Sequence, residues 1–163
     1  MKEEKKWHDR LHRLEKLLFV VYLGLLCYFL FFADSMGRNF AERTYRYNLK
    51  PFQEISRFIR YRKELGWWSV SLNLAGNVLA FVPFGAFLPR LFPKCRKFLP
   101  VAWFGFEFSL CVELIQLTAK VGSFDVDDIL LNTLGGMLGY AVYRVTQMLH
   151  RRYGDRHEKK ESL

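Results

Sequence analysis

Asn73 and Asn77 stand four residues apart in an uncharged stretch, a spacing that puts both amides on one face of a helix. Glu113 and Gln116, three apart in another apolar stretch, share a face in the same way. Ahead of a further apolar stretch comes Asp125-Val126-Asp127-Asp128, and Asn132 follows Asp128 by about one helical turn. Amides and carboxylates gathered in this way can hold a polar group such as a lipid headgroup. The same residues admit a second chemistry. Asp125, Asp127 and Asp128 are hard oxygen donors for a Mg²⁺ ion bridging substrate phosphates. Glu113 and Asp128 are then the candidate catalytic carboxylates, with Glu113 as a general base. Glu107 lies about 120° round the helix from Glu113, mid-stretch, where it must be neutral, paired or facing water.

Each of these residues also has a plainer role open to it. Asp125 is a natural N-cap, and Asp128 three residues later completes a capping-box-like pair. The asparagines can hydrogen-bond between helices, typically for under about 1 kcal/mol per contact. Glu113, near the end of its stretch, can stay hydrated, and Arg144 can snorkel. His8 and His12 have the spacing of a metal pair but no supporting ligands in a basic tail. A Gly-rich phosphate loop, a serine elbow and a Cys–His pair are all missing from the sequence.

These groups need elements to carry them. The 163 residues are 51% hydrophobic and 17% aromatic, with 25 Lys and Arg against 16 Asp and Glu for a formal charge of +9. Aromatic content at this level excludes disorder. The three cysteines exclude a disulfide scaffold: Cys27 and Cys111 lie in apolar runs and Cys95 in a basic loop. A mean hydropathy near zero conceals segregation into apolar and charged blocks, which a soluble nucleic-acid binder would not have. Leu17 to Ala33, Gly66 to Pro89, Phe98 to Ala119 and Ile129 to Leu149 each meet or approach the ~20 residues that cross a hydrocarbon core. In lipid the backbone must be satisfied internally, so each is expected to be a helix. The sequence therefore predicts an all-α integral membrane bundle of four transmembrane helices, at 17–33, 67–89, 98–119 and 129–149, between basic tails 1–16 and 150–163. The first run has a signal-peptide alternative at Ala33-Asp34-Ser35, but its length and the basic stretch before it favour an uncleaved anchor. After Pro51, Phe52, Ile55, Phe58 and Ile59 repeat at helical spacing while Arg57, Arg60 and Lys63 point elsewhere. This predicts an amphipathic helix in the first outer loop, lying in the headgroup plane or packed on the bundle.

Basic residues flank the spans unequally. Both tails and the Arg90–Lys97 loop are strongly basic, which places both termini in the cytoplasm, where the tails can attract anionic lipid. The loop from Asp34 to Leu65 opposes this with its own basic residues, offset by Asp34, Glu42, Glu54 and Glu64. With that topology Asn73, Asn77, Glu113, Gln116, Asp125, Asp128 and Asn132 come to the same, outer leaflet. Gly135 and Gly139, and likewise Gly76 and Ala80, form small-xxx-small faces for close helix contact. Pro83 is expected to kink the second span, while Pro100 falls in the tolerant first turn of the third.

Read in order, Asn73-Leu74-Ala75-Gly76-Asn77, Phe81-Val82-Pro83-Phe84-Gly85, Glu113-Leu114-Ile115-Gln116, Phe124-Asp125-Val126-Asp127-Asp128, Asn132-Thr133-Leu134-Gly135-Gly136 and Gly139-Tyr140 resemble the VanZ-like membrane proteins. Asn48-Leu49-Lys50-Pro51-Phe52 is similar to that family's segment ahead of the second span. The resemblance covers roughly Asn48 to Tyr143. It implies a bacterial, multi-pass protein of the cytoplasmic membrane and cell envelope, in a family named for association with low-level teicoplanin resistance; it supplies no reaction. Many members carry an Arg shortly before the aspartates, where this chain has Lys120 or Gly122. Three functions follow as expectations. The first is a pocket of Asn73, Asn77, Glu113, Gln116, Asp125, Asp128 and Asn132 that binds a membrane lipid headgroup or a lipid-linked wall component, without a cofactor. The second is a metal-assisted intramembrane enzyme on a phosphate-containing lipid, with Mg²⁺. The third is a structural assembly subunit. Nucleic acid is not an expected partner.

Overall fold

The computed structural model describes residues 2–32 and 45–161. It is helical apart from two residue-pair strands. Helix α1 (Lys2–Phe32) is followed by β1 (Tyr47–Asn48), α2 (Gln53–Arg60), α3 (Arg62–Leu65), α4 (Trp67–Leu91), a 3₁₀ turn at Pro93–Cys95, α5 (Phe98–Ala119), β2 (Phe124–Asp125) and α6 (Val126–Glu161). The signal-peptide alternative at Ala33-Asp34-Ser35 and the basic residues Arg38 and Arg43 lie outside the described residues, as does the His8 side chain.

Among the described residues, three helical segments are long and apolar enough to cross a membrane: Lys5–Phe31, Val70–Leu91 and Phe98–Ala119. Helix α6, which contains the expected fourth span, is not among them. Its first turns carry Asp127, Asp128, Asn132 and Thr133, and Arg144 interrupts its later half. Its polarity follows from its place: α6 packs against both α4 and α5, so much of its surface meets protein. The rest is a stripe of exposed Leu130, Leu134, Leu138, Val142, Val145 and Leu149.

The contact between α4 and α6 is made backbone to backbone. A Cβ on Gly135 would stand 2.1 Å from the Val78 carbonyl oxygen, and one on Gly139 2.0 Å from that of Val82. A Cβ on Gly85 would meet the Gly136 carbonyl oxygen at 1.8 Å. Gly76, by contrast, faces open space. The face that α4 offers to α6 therefore runs through Val78, Val82 and Gly85, and the expected Gly76/Ala80 face is displaced from it. Ala80 turns to α1, where the Tyr22 hydroxyl donates to its carbonyl at 2.6 Å. The pairs show that α4 and α6 run in the same direction. Helix α5 runs against them, with Gly105 beside Thr133 and Gly136.

One end of the bundle is closed by an apolar core of Phe19, Phe84, Leu88, Leu91, Cys95 and Val101. Rings tighten it, with Phe84 stacked on Phe108 at 5.3 Å and Phe19 against Phe87 at 5.8 Å. Burial of Cys95 pushes its thiol up from the ordinary value. Arg90 pairs with Glu15 at 3.6 Å and the Tyr140 hydroxyl donates to the Arg96 carbonyl, so α1, the Arg90–Lys97 loop and α6 meet at this end. The basic segment before the first apolar run continues α1, helped by a Lys6–Glu3 pair at 2.8 Å. Helix α4 runs through Pro83 and Pro89 as one element.

Filling the α4–α6 contact should cost about 1–3 kcal/mol or more per methyl, because only backbone is there to give way. Gly139→Ala and Gly85→Ala are expected to lower the thermal midpoint in detergent markedly and Gly76→Ala hardly at all. Circular dichroism melts of the three variants check this.

Candidate functional site

At the other end, α1, α4, α5, α6 and the α2 segment enclose a cavity of about 950 Å³. The side chains that the sequence singled out meet there. Asn73, Asn77, Glu113, Gln116, Asp125, Asp127, Asp128 and Asn132 all line it. Glu107 does not; it is exposed on the outer surface of α5. Leu25, Phe29 and Leu79 form an apolar wall that is more than half exposed, so α1 and α4 leave the cavity open between them on that side.

The carboxylates are held by different partners. Asp127, 1% exposed, accepts backbone N–H bonds from Phe52, from Glu54 at 2.8 Å and from Ile55 at 3.1 Å. It thus caps α2 from more than seventy residues away and occupies the anion site of that helix's N-terminus. Phe52, at φ 63°, is in the left-handed region that non-glycine residues rarely adopt, which turns its N–H toward Asp127. Asp125 is the N-cap of α6: its Oδ1 accepts the Asp127 N–H at 2.8 Å and an Asn48 amide N–H at 3.1 Å. A capping box would return the Asp125 N–H to Asp128. Instead that N–H donates to Glu113 Oε2 at 2.9 Å, and Asp128 accepts from the Asn77 amide. Glu113 is consequently only 3% exposed, a correction to the hydrated carboxylate expected near the end of its stretch. Among the described residues no group of three His, Cys, Asp or Glu side chains is placed to hold a metal ion. The three aspartates diverge to α2, to the α6 N-terminus and to α4.

The amides complete the frame. Gln116 donates to the Leu30 carbonyl at 2.7 Å, tying α1 to α5. Helix α5 ends in a Schellman-type turn with Lys120 left-handed at φ 56° and the Val121 N–H donating to the Gln116 carbonyl. The next residue, Gly122, leaves no room for a side chain without pressing on Gln116, whose Cβ lies 3.1 Å from a Cβ built there. Tyr47 and Asn48 pair in parallel with Phe124 and Asp125, which holds the segment before α2 against the start of α6. Asn132 donates to Ser109 Oγ at 2.8 Å, while its Oδ1 is buried without a hydrogen-bond partner among the described residues.

The cavity residues Arg57 and Glu54 were missed by sequence reasoning. Arg57 was expected to point away, yet it lines the cavity and pairs with Glu54. Lys120, one candidate for the cation ahead of the aspartates, instead sits over the Tyr45 ring at 4.4 Å. Burial raises the Glu54 carboxyl despite the opposing pull of Arg57, and it raises Asp125 despite the N–H donors that favour its charge. The i, i+3 spacing of Glu54 and Arg57 signals a surface pair and contains nothing about the cavity.

A family model described as VanZ/LLP1 matches residues 19–147, and the chain belongs to that family. Protein VanZ of Enterococcus faecium is 38% identical over 71 residues, 44% of this chain and 44% of that relative. The alignment therefore spans less than half the length of the curated relative. No solved structure shows a significant match.

Two outcomes follow for the carboxylates. Asp127→Ala should release the α2 N-terminus at a cost of about 1–2 kcal/mol, and hydrogen exchange should report lost protection at Phe52, Glu54 and Ile55 while the α4–α6 contact persists. Asp125 has a raised folded pKa, so its contribution to stability is fullest below the ordinary 3.8 and declines as pH climbs toward the folded value. Asp125→Asn keeps a cap acceptor and removes that titration. Thermal melts from acid to neutral pH should show a shallower decline for it than for the wild type.

Proposed function

We propose that this VanZ/LLP1-family chain is a cell-envelope protein of the bacterial cytoplasmic membrane that binds a lipid headgroup or a lipid-linked wall component in an outer-leaflet polar cavity. Four spans are proposed, with α6 as the fourth between residues 129 and 149. Supporting this, α6 lies along two apolar helices long enough to cross and carries a continuous leucine and valine stripe on its free side. Both termini are proposed to be cytoplasmic. Glu15 of α1 pairs with Arg90, and Arg96 lies with Arg144 and Arg151 of α6 around one shallow depression, so basic groups collect at the closed end, and positive charge favours the inside. The Gln53–Arg60 helix then lies at the outer headgroup level, and the cavity opens in the outer leaflet.

The observation that carries the function is the cavity's combination of polar and apolar lining. Amides and carboxylates from three helices surround one end, and exposed leucine and phenylalanine side chains flank the other. Intramembrane polar groups are costly and are retained where they bind or conduct something. An amphiphile with its headgroup inward and its chains along α1 and α4 matches that lining. Through such binding the protein is proposed to alter glycopeptide susceptibility of the teicoplanin type. Metal-assisted catalysis has less support, because Asp125, Asp127 and Asp128 are turned to separate partners.

The test uses purified protein in mild detergent with native mass spectrometry of retained lipid. Glu113→Gln and Asp128→Asn keep an acceptor for Asp125 N–H and Asn77, so both should fold. Each is expected to retain lipid at least about tenfold less well, as loss of one charge-assisted hydrogen bond implies. A host expressing the wild-type chain is expected to shift in teicoplanin susceptibility, and either variant should abolish that shift. Wild-type lipid retention by both variants, together with Asn77→Ala, would remove the cavity as a site.

A further inference from the structure

The cavity's hydrogen-bonding character is lopsided. Its inner end is rich in acceptors: Glu113 and Asp128 carboxylates stand near the buried Asn132, whose Oδ1 has no hydrogen-bond partner among the described residues. At 1% exposure, that oxygen is an acceptor without a protein donor, and a donor brought into the cavity would satisfy it. Five carboxyl side chains line the cavity, from Glu54, Glu113, Asp125, Asp127 and Asp128, against one guanidinium, that of Arg57. Each carboxyl has protein partners: Asp127 three backbone N–H groups, Glu113 the Asp125 N–H, Asp128 the Asn77 amide, Asp125 the Asp127 N–H and Asn48, and Glu54 the Arg57 guanidinium. Acceptor oxygens nonetheless far outnumber cationic groups. An anionic headgroup pushed to the inner end would meet like charge in a region of low dielectric. A group that donates hydrogen bonds and carries positive charge meets what is there.

Arg57 sits differently. It stands on α2, its side chain about half exposed, and its guanidinium pairs with Glu54. A planar guanidinium at a rim suits a phosphate, which it can grip through two parallel N–H bonds. Cation-seeking groups inside and an anion-seeking group on α2 describe a receptor for a zwitterion.

We infer that the ligand is a phospholipid with a primary-amine headgroup, its ammonium seated at Asn132 Oδ1, Asp128 and Glu113 and its phosphate at Arg57. This rests on the headgroup binding proposed above and names its chemical class. A primary ammonium has three N–H donors, whereas a trimethylated ammonium has the same charge and none. Methylation therefore separates hydrogen bonding from charge. Acyl chains leave past Leu25, Phe29 and Leu79.

Purified full-length protein in a non-ionic detergent is titrated with short-chain phosphatidylethanolamine, its mono-, di- and trimethylated derivatives, and phosphatidylglycerol, with binding read by native mass spectrometry. Affinity should fall stepwise with methylation, by about tenfold or more overall, and phosphatidylglycerol should bind more weakly than phosphatidylethanolamine. Asn132→Leu should flatten the methylation series. Because that substitution also breaks the Ser109 bond, Arg57→Gln at the exposed rim serves as a second variant. It should weaken every phospholipid several-fold and leave the methylation order intact. Phosphatidylglycerol binding as tightly as phosphatidylethanolamine, or a flat methylation series in wild type, overturns the amine assignment while headgroup binding stands. Loss of the methylation order in Arg57→Gln overturns the placement of the two ends. Soluble O-phosphoethanolamine competing as well as the lipid overturns the lipid as source. Equal, weak association of all lipids, unchanged in either variant, overturns headgroup binding as well.

Discussion

The backbone approach of α4 to α6 is the constraint on which the rest depends. Glycine on both helices lets the Val78, Val82 and Gly136 carbonyls lie where side chains would otherwise stand. With the axes that close, the short Asn77 side chain reaches Asp128. Separation by even one methyl group would stretch that pair apart. The same approach turns Asn132 toward α5, where it meets Ser109, and leaves the α1 side of α4 to form the cavity wall. One local decision about side-chain volume thereby sets the depth and chemistry of the polar end.

The carboxylates show how a buried charge can be organised around backbone. Asp127 takes three N–H groups of α2, Glu113 takes the N–H that opens α6, and Asp125 caps α6 itself. Each removes an unsatisfied helix-terminal donor from a poorly hydrated place. These bonds also join segments that are remote in sequence, since β1 and α2 are held to the β2–α6 corner through them. The loop before α4 therefore becomes part of the cavity, and Arg57 comes with it.

Much of this arrangement is legible in the chain. Helical periodicity and rise place Asn77, Glu113, Gln116, Asp128 and Asn132 at one level, and the structure brings them around one cavity. Capping by Asp125 follows from its position ahead of an apolar run. What the sequence hides depends on long-range closure. Asp127 and Asp128 look equivalent as neighbours, but helical rotation sends one to α2 and the other to α4. Gly76 looks as suited to close packing as Gly85, and only the rotation of α4 about its axis decides which one α6 touches. The polar start of α6 packs against α4 and α5 while its apolar stripe faces away from them, so composition alone describes it less well than it describes α4 or α5.

The open seam between α1 and α4 has a kinetic and thermodynamic side. Under the proposed headgroup binding, a molecule already dissolved in the leaflet would slide in laterally by two-dimensional diffusion, without first being extracted into water. Occupancy would then be set by exchange against the surrounding annulus of bulk lipids, whose mole fractions approach unity. Discrimination among neighbours, rather than tight absolute binding, is the quantity that such a seam would select.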